Sequence, residues 1–184
     1  MGGVFLKINY NRCIPVHDVT SSLDAFNHLY NLLGMTSDEK VSYNEKVQSR
    51  ELCIYEIKQG SIITALSEVG LTTLVGFVGS IASIISFFKD LGKQEAPTNN
   101  INSNNVNINS NNSVTNIINV TINNQKIEID IEEVKSDIVR LMELIKNPDT
   151  SIEVSDANDK LIIDYEVKMR VIQNIKNSEN NPGK

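Results

Sequence analysis

Residues 69–88 read VGLTTLVGFVGSIASIISFF, and this run without a charged side chain is the feature that most restricts the fold. A helix of about 20 apolar residues is long enough to cross a bilayer. A surface helix of a globular domain normally turns charged side chains towards water, and this run has none. The run is therefore either a membrane span or a helix buried in a protein core or interface.

Small side chains in this run recur every three or four residues, which places them on one stripe of a helix, opposite the bulky aliphatic side chains. In a membrane, such a stripe is typical of close packing between helices. In a soluble domain, the bulky side would cover a sheet, and the stripe would lie in an interface or face water. We favour the membrane interpretation. The predicted helix-packing interface consists of Thr73, Gly76, Gly79, Ser80 and Ser83.

The segment before this run begins with a strand and a helix. VFLKINY, at residues 4–10, alternates as a strand does. Residues 23–33 then carry apolar side chains at helical spacing, with Ser21 or Ser22 as the predicted N-cap and Gly34 as the predicted end.

Residues 52–66, LCIYEIKQGSIITAL, predict two further strands joined at a tight connection that contains Gly60 and Ser61. This Gly-Ser pair lacks the G-x-S-x-G pattern of a nucleophile elbow. The order strand, helix, strand, strand predicts an α+β arrangement in which the helix covers one face of a small sheet.

Asparagine dominates the segment after the apolar run. The motif INSNN at residues 101–105 recurs at residues 108–112, and two copies are too few to establish a solenoid. Residues 93–113 are either a polar linker or a β-ribbon whose Ile and Val side chains point inward.

A β-hairpin is predicted immediately after this segment, with Asn123 and Asn124 as a two-residue turn. The apolar positions change from even to odd numbers across that turn, as the register of such a hairpin requires. The predicted partners are Ile122 with Gln125, Val120 with Ile127, and Ile118 with Ile129.

The last third predicts a helix followed by a strand, which together with the hairpin forms a β-α-β unit. Residues 132–146 carry one apolar stripe, with acidic residues at the start, Lys146 at the end and Pro148 as a stop. Residues 161–172 alternate apolar and polar side chains and predict a strand with one solvent-exposed face.

These elements give a division of the chain into five parts. The predicted parts are an α+β domain (residues 1–67), the apolar helix (68–92), the Asn-rich segment (93–113), the hairpin-helix-strand unit (114–176) and a tail (177–184).

Charge and cysteine content exclude some classes of function. The net charge of −6 and the pI near 5.0 argue against a nucleic-acid binder, which needs clustered Lys and Arg. Two cysteines, Cys13 and Cys53, are too few for a disulfide scaffold. The amino terminus lacks the apolar region of a secretory signal, so we expect a cytosolic N-terminal domain.

The residues that could carry chemistry do not form a known pattern. His17-Asp18 is an acid–base pair by residue type, but a polar dipeptide near a helix start explains it as well. The spacing of Cys13, His17, His28 and Cys53 matches no zinc module. We therefore expect no enzyme activity, no cofactor and no metal.

The layout resembles that of small bacterial proteins in general and matches no named family. We expect a non-enzymatic, homo-oligomeric, membrane-anchored protein, a small bacterial effector that forms or gates a pore on sensing a partner. Its expected contacts are other copies of itself, the lipid bilayer and a protein partner, but no nucleic acid. The alternative is a soluble, cytoplasmic assembly or adaptor module whose apolar helix is core.

Overall fold

A computed structural model gives the structure of the protein. It describes residues 4–34, 52–58, 60–66, 77–91, 117–122, 125–156 and 159–180. The fold class is α+β, as the sequence predicts, with a five-stranded antiparallel sheet, a separate two-stranded hairpin and four helices in the described ranges.

Seven strands and four helices follow one another along the described ranges. They are β1 (Phe5–Asn9), α1 (Val16–Gly34), β2 (Leu52–Lys58), β3 (Ser61–Leu66), α2 (Phe77–Asp90), β4 (Ile117–Ile122), β5 (Gln125–Asp130), α3 (Ile131–Leu141), β6 (Ser151–Ser155), β7 (Lys160–Ile163) and α4 (Tyr165–Asn180).

The large sheet has the strand order β2-β3-β1-β6-β7, and each neighbouring pair is antiparallel. β1 lies at its centre, between β3 and β6. The sheet therefore joins strands from residues 1–67 with strands from residues 114–176, two ranges that the sequence pattern alone separates.

One face of this sheet forms the core together with the helices. Leu6 and Ile8 of β1 and Ile152 and Val154 of β6 are fully buried, and they belong to one cluster with buried side chains of all four helices. Because side chains alternate along a strand, the residues between them lie on the opposite face.

Helix α1 confirms the predicted helix but begins earlier, at Val16. The carbonyl oxygen of Pro15 accepts hydrogen bonds from the backbone N–H groups of Asp18 and Val19, which starts the helix there. The predicted N-cap role of Ser21 or Ser22 is wrong. Both serines lie inside the helix; Ser22 is buried, and its hydroxyl bonds to carbonyl oxygens at the end of α3.

Helix α2 occupies the second part of the uncharged run. Nine of its side chains are buried, because it packs against α1, α4 and β7 within the same chain. The Phe77 ring meets the rings of Phe26 and Tyr30 edge-on, with centroids 5.8 and 5.1 Å apart. None of the described helices is both long and apolar enough to span a bilayer, so the predicted membrane span is unsupported.

The two predicted hairpins are confirmed. The register of β4 and β5 pairs Ile122 with Gln125 and Ile118 with Ile129, as the parity change predicts. The β2–β3 connection contains Gly60 at a φ of +84°, where a Cβ atom would meet the carbonyl oxygen of Tyr10 at 3.0 Å. Glycine is the residue that tolerates both this φ and this close approach.

Helix α3 confirms the predicted helix but ends at Leu141 rather than near Lys146. Asp130 is its N-cap, and its Oδ1 accepts the backbone N–H of Glu132 at 2.8 Å. The chain then turns and enters β6, a strand that the sequence pattern does not predict.

The strand predicted at residues 161–172 is wrong beyond Ile163, since helix α4 occupies most of that range. Asp164 caps α4: its Oδ1 accepts the backbone N–H of Val167 at 2.9 Å. Val167, Val171 and Ile175 are four residues apart, a spacing that fits both a period of two and a helical face. The N-cap hydrogen bond to Asp164 favours the helix over the strand.

Candidate functional site

The predicted helix-packing interface lies partly outside the described residues, since Thr73 and Gly76 precede α2. Gly79 is partly exposed, Ser80 is fully buried and Ser83 is 7% exposed. The hydroxyl of Ser83 donates to the carbonyl oxygen of Gly79 at 2.9 Å. Packing within one chain already covers the two serines, and contact between copies through this stripe stays a prediction.

A cluster of charged side chains lies where α1 meets α3. His28 of α1 reaches the acidic side chains of α3, and residues three or four apart on α3 share one face. We call this group the Asp137 cluster; its members are Asp24, His28, Glu133, Asp137 and Arg140.

Asp137 is the centre of the cluster, with a side chain only 5% exposed. Its Oδ2 contacts Nδ1 of His28, and its Oδ1 lies 3.6 Å from the Arg140 guanidinium. The other ring nitrogen of His28 lies 3.4 Å from a carboxylate oxygen of Glu133. A buried carboxylate needs such partners, since burying an unpaired charge is very unfavourable.

The chemistry open to this cluster is limited by what surrounds the imidazole. In the part of the chain that the structure describes, both ring nitrogens of His28 face carboxylates, and no hydroxyl or thiol contacts them. A His–Asp pair acts as a general base when its free nitrogen reaches a proton donor. The same described residues hold no group of His, Cys, Asp or Glu arranged for a metal ion. The geometry supports a structural role for the Asp137 cluster, which joins α1 to α3 through ion pairs.

The other residues considered from the sequence do not come together. Asp18 lies 3.5 Å from the ammonium group of Lys146, an ion pair that ties α1 to the turn after α3. His17 and Cys13 are exposed at the start of α1. The structure does not describe the side chain of Cys53.

Lys168 has a lowered pKa. The ammonium group of Lys168, on α4, donates to the carbonyl oxygen of Ile145 at 2.7 Å. Burial lowers the pKa of Lys168, and the nearby charge of Lys146 lowers it further. This contact ties α4 to the chain after α3.

The face of the large sheet opposite the core is the second candidate surface, and we call it the open face. Among described side chains, none on this face belongs to the core cluster or packs against it. The strand register places one residue of each strand in a row across its middle. From β2 to β7, the row reads Glu56, Ile63, Lys7, Glu153 and Ile162.

Sequence reasoning missed both the Asp137 cluster and the open-face row. Asp137 lies three residues after Val134, within the apolar stripe of the predicted α3 helix. A carboxylate on this buried stripe indicates that a polar or charged side chain of another element lies beside it. The row depends on β6, whose Ile152 and Val154 alternate over only five residues.

Comparison with known proteins gives no relative: no family model, curated protein or solved structure matches the chain.

Proposed function

We propose that this protein is a non-enzymatic assembly module, which associates with other copies of itself, and that α2 is part of its core. The observation that carries the proposal is the burial of α2 within its own chain. Phe77, Ile81, Ile84 and Phe88 are each at most 2% exposed, so this chain supplies the apolar surroundings that these side chains need.

The contacts of α2 with its neighbours support the same proposal. The Phe77 ring contacts lock α2 to α1, and the side-chain amide of Asn174 on α4 donates to the carbonyl oxygen of Lys89 at 2.5 Å. The last carbonyl groups of a helix have no partner within the helix, so this bond satisfies one of them.

The membrane-effector hypothesis remains the alternative, with residues 69–88 as its anchor. For α2 to enter a bilayer, it would have to leave α1 and α4 and give up the Phe77 contacts. The hypothesis therefore requires a large rearrangement, whereas the assembly module uses the fold as it stands.

Fractionation of the full-length chain tests the proposal. We expect recovery without detergent, with a mass by light scattering above that of one chain. Alkali-resistant pelleting with membranes would contradict the proposal and favour the effector. A vesicle-binding assay with phosphatidylcholine and phosphatidylglycerol should compare the wild type with Phe77→Ala, which loosens α2. The module predicts no binding by either form, and the effector predicts stronger binding by the variant.

A further inference from the structure

On the open face, the two carboxylates of the row form ion pairs with lysines of the same chain, but the lysine of the row has no described carboxylate beside it. Glu56 lies 2.7 Å from Lys58, and Glu153 lies 2.8 Å from Lys160, so both carboxylates have a cation beside them in the same chain. No described carboxylate lies within ion-pair distance of Lys7, which occupies the central strand. Within the described ranges, the middle of the open face therefore presents a cation that lacks a carboxylate partner.

We propose that two copies of this chain pair through their open faces about a two-fold axis that runs parallel to the strands, between β1 and β6. This axis places β1 of one copy over β6 of the other, and β3 over β7. Lys7 then faces Glu153 of the second copy, Ile63 faces Ile162, and each contact occurs twice. The proposal rests on the proposed function and specifies its surface.

Side-chain reach is consistent with this pairing. Stacked sheets lie about 10 Å apart, which an extended Lys and an extended Glu together span. Ile162 is 52% exposed, and the pairing would cover it with Ile63, an apolar neighbour. An isologous interface needs such self-complementarity, because each patch meets its own copy.

Other two-fold arrangements satisfy the charges less well. An axis perpendicular to the strands places β1 over its own copy, where Lys7 meets only Phe5, Lys7 or Asn9, none of which is a carboxylate. An axis along β3 places Lys7 over Glu56 but overlaps three strands instead of four. It also leaves Glu153 outside the contact.

The size of the face sets the strength of the pairing. Four overlapping strands at about 4.8 Å spacing and five residues at about 3.4 Å give roughly 330 Å² per copy. This is below the area of a standard interface, about 800 Å² per partner, and predicts a weak dimer in concentration-dependent equilibrium. Sedimentation equilibrium over a wide concentration range is the suitable measurement.

A charge-swap experiment on the full-length chain tests the pairing. Lys7→Glu and Glu153→Lys each place like charges opposite one another in a homodimer, and we expect each alone to weaken self-association by about tenfold or more. An equimolar mixture of the two variants places opposite charges at both contacts. We expect the mixture to associate as well as the wild type. Circular dichroism of each variant before mixing verifies its fold.

Matched controls separate the proposed axis from its alternatives. Under the proposed axis, Glu56→Lys alone should associate as the wild type does, because it keeps both Lys7 and Glu153. Under the axis along β3, Glu56→Lys alone should lose association and regain it when mixed with Lys7→Glu. Ile162→Asp should weaken the wild-type dimer. Ile57→Asp should not, because Ile57 lies in register with Ile62, which packs on the core side of the sheet.

The outcomes distinguish this inference from the proposed function. A wild-type chain that associates while both charge variants associate equally well keeps the assembly module and overturns the open-face pairing. A wild-type chain that stays monomeric at every concentration overturns both. Loss of association in Lys7→Glu and in Glu153→Lys, with recovery in their mixture and unchanged association of Glu56→Lys, supports the pairing.

Discussion

Truncation of Phe77 to alanine tests whether α2 is core. The Phe77 side chain is 2% exposed and touches two aromatic rings of α1. A buried phenylalanine removes about 150–250 Å² from water, which is about 4–6 kcal/mol at about 25 cal/mol per Å². Alanine retains part of this, and measured truncations of this kind lose about 3–5 kcal/mol. We expect Phe77→Ala to lower the free energy of unfolding by about 4 kcal/mol.

A second substitution separates the ring contacts from the burial. Phe77→Leu keeps most of the apolar volume but loses both edge-on contacts, each of which contributes about 0.5–1.5 kcal/mol. We expect Phe77→Leu to lower the free energy of unfolding by about 1–2 kcal/mol. Val16→Ala is the control, since Val16 is 78% exposed and its truncation should change stability by less than about 0.5 kcal/mol.

Urea unfolding followed by circular dichroism, without detergent, measures all three variants. The slope of the transition should stay constant, which indicates that stability alone has changed. If Phe77→Ala unfolds at the wild-type midpoint, α2 does not belong to the cooperative core, and the burial argument for the assembly module fails.

Three further predictions concern single polar contacts. Asp137→Ala leaves His28 without its buried partner, so we expect the free energy of unfolding in urea to fall by about 2 kcal/mol. The control Asp24→Ala, at a mostly exposed edge of the cluster, should lower it by less than about 0.5 kcal/mol. Asp164→Ala removes the N-cap of α4 and should destabilise the protein by about 1 kcal/mol and speed hydrogen exchange in the first turn of α4; unchanged exchange would contradict the capping role. Because burial lowers the pKa of Lys168, the unfolded chain binds more protons than the folded one just below pH 10.5, so this group makes the free energy of unfolding rise with pH in that window. Lys168→Met should flatten that rise, and an unchanged pH profile would refute the assignment.

The sequence predicts local pairing well where turn chemistry and side-chain parity agree. The sequence predicts a two-residue turn at Asn123 and Asn124, which lie outside the described residues, and the apolar positions on either side then allow one register. The pairing of β4 with β5 confirms that register. The same reasoning predicts the β2–β3 connection at Gly60. In both places, the deciding interactions lie within a few residues of one another.

Sequence-based prediction fails where contacts between residues far apart in the chain determine the structure. Residues 161–172 alternate as a strand does, but Asp164 caps a helix there. Val171 and Ile175 are buried on that helix, which packs against α2. For residues 69–88, the absence of charge is equally compatible with lipid and with a protein interior. The neighbours that bury Phe77 come from a helix far away in the sequence.

The candidate surfaces were the hardest to foresee for the same reason. His28 and Asp137 belong to helices separated by most of the chain, and nothing near either residue in the sequence indicates the other. The open-face row needs the register of five strands, including β6, which is short and follows a turn.

The central position of β1 has a consequence for synthesis on the ribosome. β1 can pair with β3 soon after both emerge, but its other neighbour, β6, is translated much later, as the register of Phe5 with Ser155 requires. Until then, the nascent chain carries an unpaired inner edge, and such edges recruit strands from other molecules. Chaperone dependence during translation, lost once β6 has emerged, is the behaviour that this strand order implies.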